Sequence, residues 1–120
     1  MKMEQIKQEK LKEHYFHHKD KSFFGELIRY MSSVPSVLLV LQGKEAVDVV
    51  RKMAGVTSGR KAEPGTIRGD FSMSIQVNTI HASESVDAAK SEIKRFFGEK
   101  EVLDYSKVDV DWVYSPDEKE

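Results

Sequence analysis

The sequence predicts a mixed domain of helices and strands, and three observations carry that reading. Val37 to Leu41 is a continuous apolar run opened by Val34-Pro35-Ser36, the signature of a strand buried on both faces. The stretches 44–54 and 86–97 repeat their apolar residues at helical spacing. Phe71, Met73, Ile75 and Val77 alternate with polar neighbours, which is the period of an ordered extended segment.

In chain order, Met1 to Ile6 is short and is read as a strand remnant. Lys7 to His18 is polar and helix-forming, with Leu11, Tyr15 and His14 or His18 near one another at helical spacing. Asp20 or Ser22 can cap a second helix whose apolar face is Phe23, Phe24, Leu27, Ile28 and Met31. After the central apolar run and Gly43, residues 44–54 turn Ala46, Val47, Val49, Val50, Met53 and Ala54 to one arc, with Arg51 at its edge. Gly55 is the expected stop. Residues 56–76 are irregular, with Gly59, Pro64, Gly65 and Gly69, the kind of long loop that small domains use for function. Ser83 or Ser85 can cap the helix 86–97, in which Val86, Ala89, Ile93, Phe96 and Phe97 share a face. Glu92 lies beside that face, where a carboxylate can reach His81. The tail has apolar anchors Val102, Leu103, Tyr105, Trp112 and Tyr114, then an acidic end expected to fray.

Composition narrows the class of function. A chain of 120 residues is one domain, long enough to bury a core without staples. With no cysteine, disulfide and thiolate chemistry are excluded. Nineteen basic residues against twenty acidic ones give a net charge of −1, so general nucleic-acid binding is not favoured. No apolar run is long enough to span a bilayer, and residues 1–20 carry no secretory signal pattern. A soluble, cytoplasmic protein with no membrane partner is expected.

The chemistry concentrates in two stretches. Asn78-Thr79-Ile80-His81-Ala82-Ser83-Glu84-Ser85 carries a histidine where an extended segment meets a helix start. Pro64-Gly65-Thr66-Ile67-Arg68-Gly69-Asp70-Phe71 carries a fixed cation. An imidazole and a guanidinium on neighbouring segments suit chemistry on an anion such as a phosphoryl group.

These two motifs, in this order and spacing, resemble the active-site region of the nucleoside diphosphate kinases. The likeness extends through His14-Tyr15, Phe23-Phe24-Gly25-Glu26-Leu27, the Arg51 to Thr57 segment, Glu92, Phe96-Phe97 and Asp111-Trp112-Val113-Tyr114, nearly the whole chain. The resemblance implies an α+β, ferredoxin-like sandwich over residues 1–120. It implies transfer of a γ-phosphoryl group from a nucleoside triphosphate to a nucleoside diphosphate through a phosphohistidine at His81. Glu92 is then the carboxylate that fixes the imidazole. Arg51 and Arg68 gather phosphate oxygens, and Thr57 donates a hydroxyl to them. Phe23 stacks on the base, Leu27 and Ile75 line the same slot, Asn78 bonds the sugar, and Tyr15 lies near the phosphates. Mg²⁺ arrives with the nucleotide, no protein metal site is expected, and a homo-oligomer is implied.

The chain departs from the family pattern in places. Glu84 stands where aspartate is usual, Gln76-Val77 and Ser58-Gly59 are unusual pairs, and the family's first strand, with its Lys-Pro-Asp motif, and first helix lie before Met1. A truncated form is therefore expected, with exposed sheet backbone and poor stability or association. The alternative is an impaired chain acting as a nucleotide-binding or oligomerising subunit. RNA binding is a third reading, which the neutral charge argues against. Read singly, each residue also has a plain role: His81 structural, Arg51 and Arg68 solvated, Glu92 on a helix surface, Phe23 in the core, Thr57 and Asn78 bonded to loop backbone. His14 and His18, at i,i+4, can chelate a metal, yet nothing nearby completes a site, so a solvated helix face is expected.

Overall fold

The computed structural model describes residues 1–119. Strands β1 (Lys2–Glu4) and β2 (Ser36–Leu38) pair antiparallel, with Lys2 opposite Leu38, Met3 opposite Val37 and Glu4 opposite Ser36. The strand expected at the start of the chain is therefore present. Between the two strands run α1 (Gln8–His14), a 3₁₀ turn over Phe16–His18, and α2 (Phe24–Met31). The polar stretch 7–18 is thus a helix that tightens after His14. Neither Asp20 nor Ser22 caps α2; Phe23 holds the N-cap position without a side-chain bond.

The core is Ile6, Leu11, Tyr15, Ile28 and Phe96, with Phe24, Leu27, Met31, Leu38 and Phe97 packed round it. Leu11 is wholly buried, worth about 2 kcal/mol of apolar transfer. It lies where α1 meets α2 and α5 (Val86–Phe96). The apolar run of β2 is not buried on both faces as expected. Val37, Leu39 and Leu41 are exposed while Leu38 and Val40 are half-buried. Alternate residues of a strand point to opposite faces, and the helices cover only one of them.

Helix α3 (Ala46–Ala54) ends at Gly55, whose φ of 81° lies in the left-handed region. A Cβ there would also sit 2.5 Å from the Thr66 hydroxyl, so the turn requires glycine on two counts. The irregular stretch that follows is ordered by a 3₁₀ turn over Gly59–Lys61 and by α4 (Ile67–Phe71), capped by the Thr66 hydroxyl, which accepts from Gly69 N at 3.0 Å. The alternation at 71–77 has the opposite sense to that of a core strand. Phe71, Met73, Ile75 and Val77 are exposed, and Ser72 is buried. The Ser72 hydroxyl lies within bonding distance of the Ser74 and Val77 carbonyls, at 3.3 and 3.1 Å, so polar contacts, not apolar ones, close this loop.

In the tail, α6 (Val110–Val113) leaves Trp112 90% exposed, and Val102, Leu103 and Tyr105 are exposed too; of the expected anchors only Tyr114 is half-buried. A 3₁₀ turn over Pro116–Glu118 is closed by a Ser115 capping box, and Glu120 falls outside the described residues. Among the described residues no helix is long and apolar enough to cross a membrane.

Candidate active site

The Ser85 hydroxyl accepts from Ala88 N at 3.1 Å and starts α5. Glu92 sits roughly two turns further on, so its carboxylate reaches back over the segment that precedes the helix. Its Oε1 is 3.0 Å from Nε2 of His81, and its Oε2 accepts from the Ser83 hydroxyl. A carboxylate can only accept, so Nε2 of His81 carries the hydrogen and Nδ1 keeps the lone pair. Burial acts to raise the Glu92 pKa, but the bonds from His81 and Ser83 outweigh it and hold the carboxyl down to about 2. The His81 side chain itself is 41% exposed, reachable from solvent.

The backbone under His81 is pinned and strained. Arg68, on α4, donates from Nη2 to the Ile80 carbonyl and from Nη1 to the Gly55 carbonyl, both at 2.7 Å. Thr79 has a φ of 66°; a β-branched residue there costs about 1–3 kcal/mol and persists only where neighbours hold it. Burial, and Arg51 beside it, lower the pKa of Arg68; the guanidinium Nε is buried and has no partner among the described residues. Arg51, on α3, is exposed, and its side chain makes no hydrogen bond or ion pair among the described residues. Tyr15 is buried with its ring 6.2 Å from that of His81; burial, then Glu92, pushes its hydroxyl up to about 12, so it is a neutral donor.

Of the residues expected around a nucleotide, Phe23 and Ile75 face one open cleft of about 520 Å³, shared with Arg60, Met73, Ser74 and Gln76. Leu27 does not line it and packs against the core instead. The Asn78 amide is committed to backbone, donating to Ile75 O at 2.8 Å and to Thr57 O at 3.5 Å. It thereby draws Thr57, Ile75 and the His81 segment together. Thr57 is exposed.

Two residues have roles that the sequence did not assign to them. Ser83 was a candidate helix cap, whereas its hydroxyl orients Glu92. His14 was expected on a solvated face and is instead 8% exposed. Its ring stands 4.8 Å from that of His81 at 87°, and packs on Tyr15 and Phe96. Burial, then the neighbouring His81, drops its pKa to about 4. Leu11 is wholly buried and stands at i,i+3 from His14, so the two share the buried face of α1. His14 and His18 do not form a chelate, since His18 packs on His17 and Phe23. Donor atoms of His14, His81 and Glu92 do lie within 4.8 Å of one another. Arg95 Nη1, however, already stands 3.4 Å from His14 Nδ1 and occupies that lone pair. The trio is a packed network, and its nitrogen donors do not suit Mg²⁺, which takes oxygen.

Comparison with known proteins gives one consistent answer. The family model described as nucleoside diphosphate kinase matches residues 1–102. The chain is 47% identical to the nucleoside diphosphate kinase of Methanobrevibacter smithii over 114 residues, covering 95% of this chain and 76% of that protein. It is 47% identical to that of Parabacteroides distasonis over 118 residues, covering 98% and 77%. Among solved structures, a halophilic nucleoside diphosphate kinase from Halobacterium salinarum in complex with CDP superposes with a TM-score of 0.91 at 38% identity, covering 95% of this chain and 76% of that one. The apo enzyme from Encephalitozoon cuniculi superposes with a TM-score of 0.89 at 38% identity, covering 94% and 76%. The α+β, ferredoxin-like architecture is thereby shared. This chain belongs to the nucleoside diphosphate kinase family.

Proposed function

We propose that the chain transfers a γ-phosphoryl group between nucleoside triphosphates and diphosphates in two steps, with His81 as the residue that carries the group. The observation that supports this most directly is the 3.0 Å contact between Glu92 Oε1 and His81 Nε2, which leaves the lone pair on Nδ1. In the first step that lone pair forms an N–P bond to the γ-phosphorus. The bond from phosphorus to the β–γ bridging oxygen breaks, and its electrons leave with the nucleoside diphosphate. In the second step a terminal β-phosphate oxygen of the acceptor attacks the phosphohistidine and Nδ1 regains its pair. The Nε2 proton stays on Glu92's side throughout, so no general base is needed. Arg51 and the remaining N–H groups of Arg68 would gather the phosphoryl oxygens, with Tyr15 and Thr57 as neutral donors. Phe23 and Ile75 would hold the base in their cleft and Asn78 the sugar. Mg²⁺ would come as part of the substrate, on its phosphates.

The test is incubation of the full chain with γ-labelled ATP, then separate acid and alkali treatment. Alkali-stable, acid-labile label that disappears in His81→Ala is expected; label retained in that variant would overturn the assignment.

We also infer that the chain self-associates. The support is the exposed apolar tail, in which Val108 is 94% and Trp112 90% exposed. Light scattering across a concentration series should give a mass that is a multiple of 13.7 kDa; a monomer at every concentration would refute it.

A further inference from the structure

We propose that His14 is a positioning residue for the nucleophile, its perpendicular ring setting the plane of the His81 imidazole so that Nδ1 faces the incoming phosphorus. The inference rests on the reading of His81 given above. An imidazole on a β-carbon has two soft torsions. The Glu92 bond fixes where Nε2 lies but leaves the ring free to twist about that contact, and such a twist sweeps Nδ1 off the line of attack. His14 stands 4.8 Å from His81 at 87°, nearer than Tyr15 at 6.2 Å. A ring held edge to face at this distance blocks the twist.

His14 can do this because it does not itself move. Its ring is buried and bounded by Tyr15 at 4.4 Å and Phe96 at 5.0 Å. Arg95 Nη1 meets its Nδ1 at 3.4 Å, and Arg95 Nε is anchored in turn on Glu13 at 3.1 Å. That contact puts the His14 proton on Nε2 and selects one tautomer. The arrangement spans two elements, α1 and α5, so the plane of the His81 ring is set by helix packing and not by its own loop. An uncharged ring also suits the neighbour, because phosphorylation makes the His81 imidazole formally cationic and a second cation beside it would oppose the step.

The experiment is rapid-quench measurement of phosphoenzyme formation at saturating labelled ATP, with ADP affinity measured by calorimetry, on the full chain. His14→Leu keeps apolar volume without a planar ring and is expected to slow the step about 30-fold, a loss typical of a misaligned reacting atom. ADP affinity should stay within about 2-fold, because His14 touches no nucleotide in the proposed pose. His14→Phe restores a planar edge and should recover most of that rate. Arg95→Met keeps both imidazole rings and removes the contact that holds His14, along with the ion pair to Glu13, and is expected to slow the step about 5-fold. A His14→Leu rate within about 3-fold of the native one, equal losses in the Leu and Phe variants, or an unchanged Arg95→Met rate would each overturn the proposal. Absence of phosphoenzyme in the native chain would instead remove the nucleophile assignment, and the positioning role with it.

Discussion

Arg68 donates to the carbonyl of Ile80 at 2.7 Å, one residue before His81, and to that of Gly55, the residue that ends α3. One guanidinium thus ties the end of a helix to the backbone that carries the imidazole. An ammonium group on a flexible stem cannot reproduce that fork. Arg68→Lys is therefore expected to cost about 2 kcal/mol of stability, from two hydrogen bonds made by a charged donor. Turnover should fall with it. Arg51→Lys, at an exposed side chain, should leave the melting temperature within about 2 °C, as surface changes do. Thermal unfolding and steady-state kinetics of both variants check this; equal stability losses would contradict it.

Replacing Glu92 with glutamine separates charge from shape. An amide offers one oxygen and one NH₂ to the His81 and Ser83 contacts, where the carboxylate offers two acceptors. An NH₂ facing His81 would draw the lone pair to Nε2 and leave the hydrogen on Nδ1. The expected result is about a 100-fold loss of kcat with nucleotide affinity unchanged. Nitrogen chemical shifts of the His81 ring should show the tautomer change; an unaltered shift pattern would argue against this account.

Stability should fall toward acid in two stages. His14 titrates in the fold at about 4, below its unfolded value of 6.5. A depressed folded value means the unfolded chain binds the proton first, so stability is full above about 6.5 and declines as pH falls toward 4. Glu92, at about 2 against 4.5, has the same sign and acts lower, joined by Glu4 and Glu101, which are also lowered by their bonds to Lys2. The melting temperature of the native chain should therefore drop between pH 6.5 and 4.5, and that drop should shrink in His14→Phe to the part left by His18, whose pKa burial also lowers. A parallel decline in the two proteins would refute the assignment to His14.

The outline of this molecule could be read from residue order. Helical spacing located the helices around Leu11, Ile28, Val50 and Ile93, because a buried helix face repeats with the backbone's own period. The eight-residue stretches around Arg68 and His81 identified the chemistry, because the resemblance depends on residue types at fixed separations. The wheel position of Glu92 already brought its carboxylate near His81.

Other features were invisible without the third dimension. Whether Val37 to Leu41 meets helices on one face or two depends on what packs across the sheet, and only one side is covered. The pattern at 71–77 indicated an ordered extended segment, yet its apolar side chains are exposed and the Ser72 hydroxyl closes the loop by hydrogen bonds. The role of Arg68 as a backbone tie, the use of Ser83 on Glu92 and the burial of His14 against His81 all join residues from different elements. Sequence alone determined the helices, the motif and so the class of reaction, since these are encoded in local periodicity and composition. The tertiary structure decided which ring faces which and what holds the His81 segment still, because those contacts arise only when α1, α4 and α5 converge on one short segment.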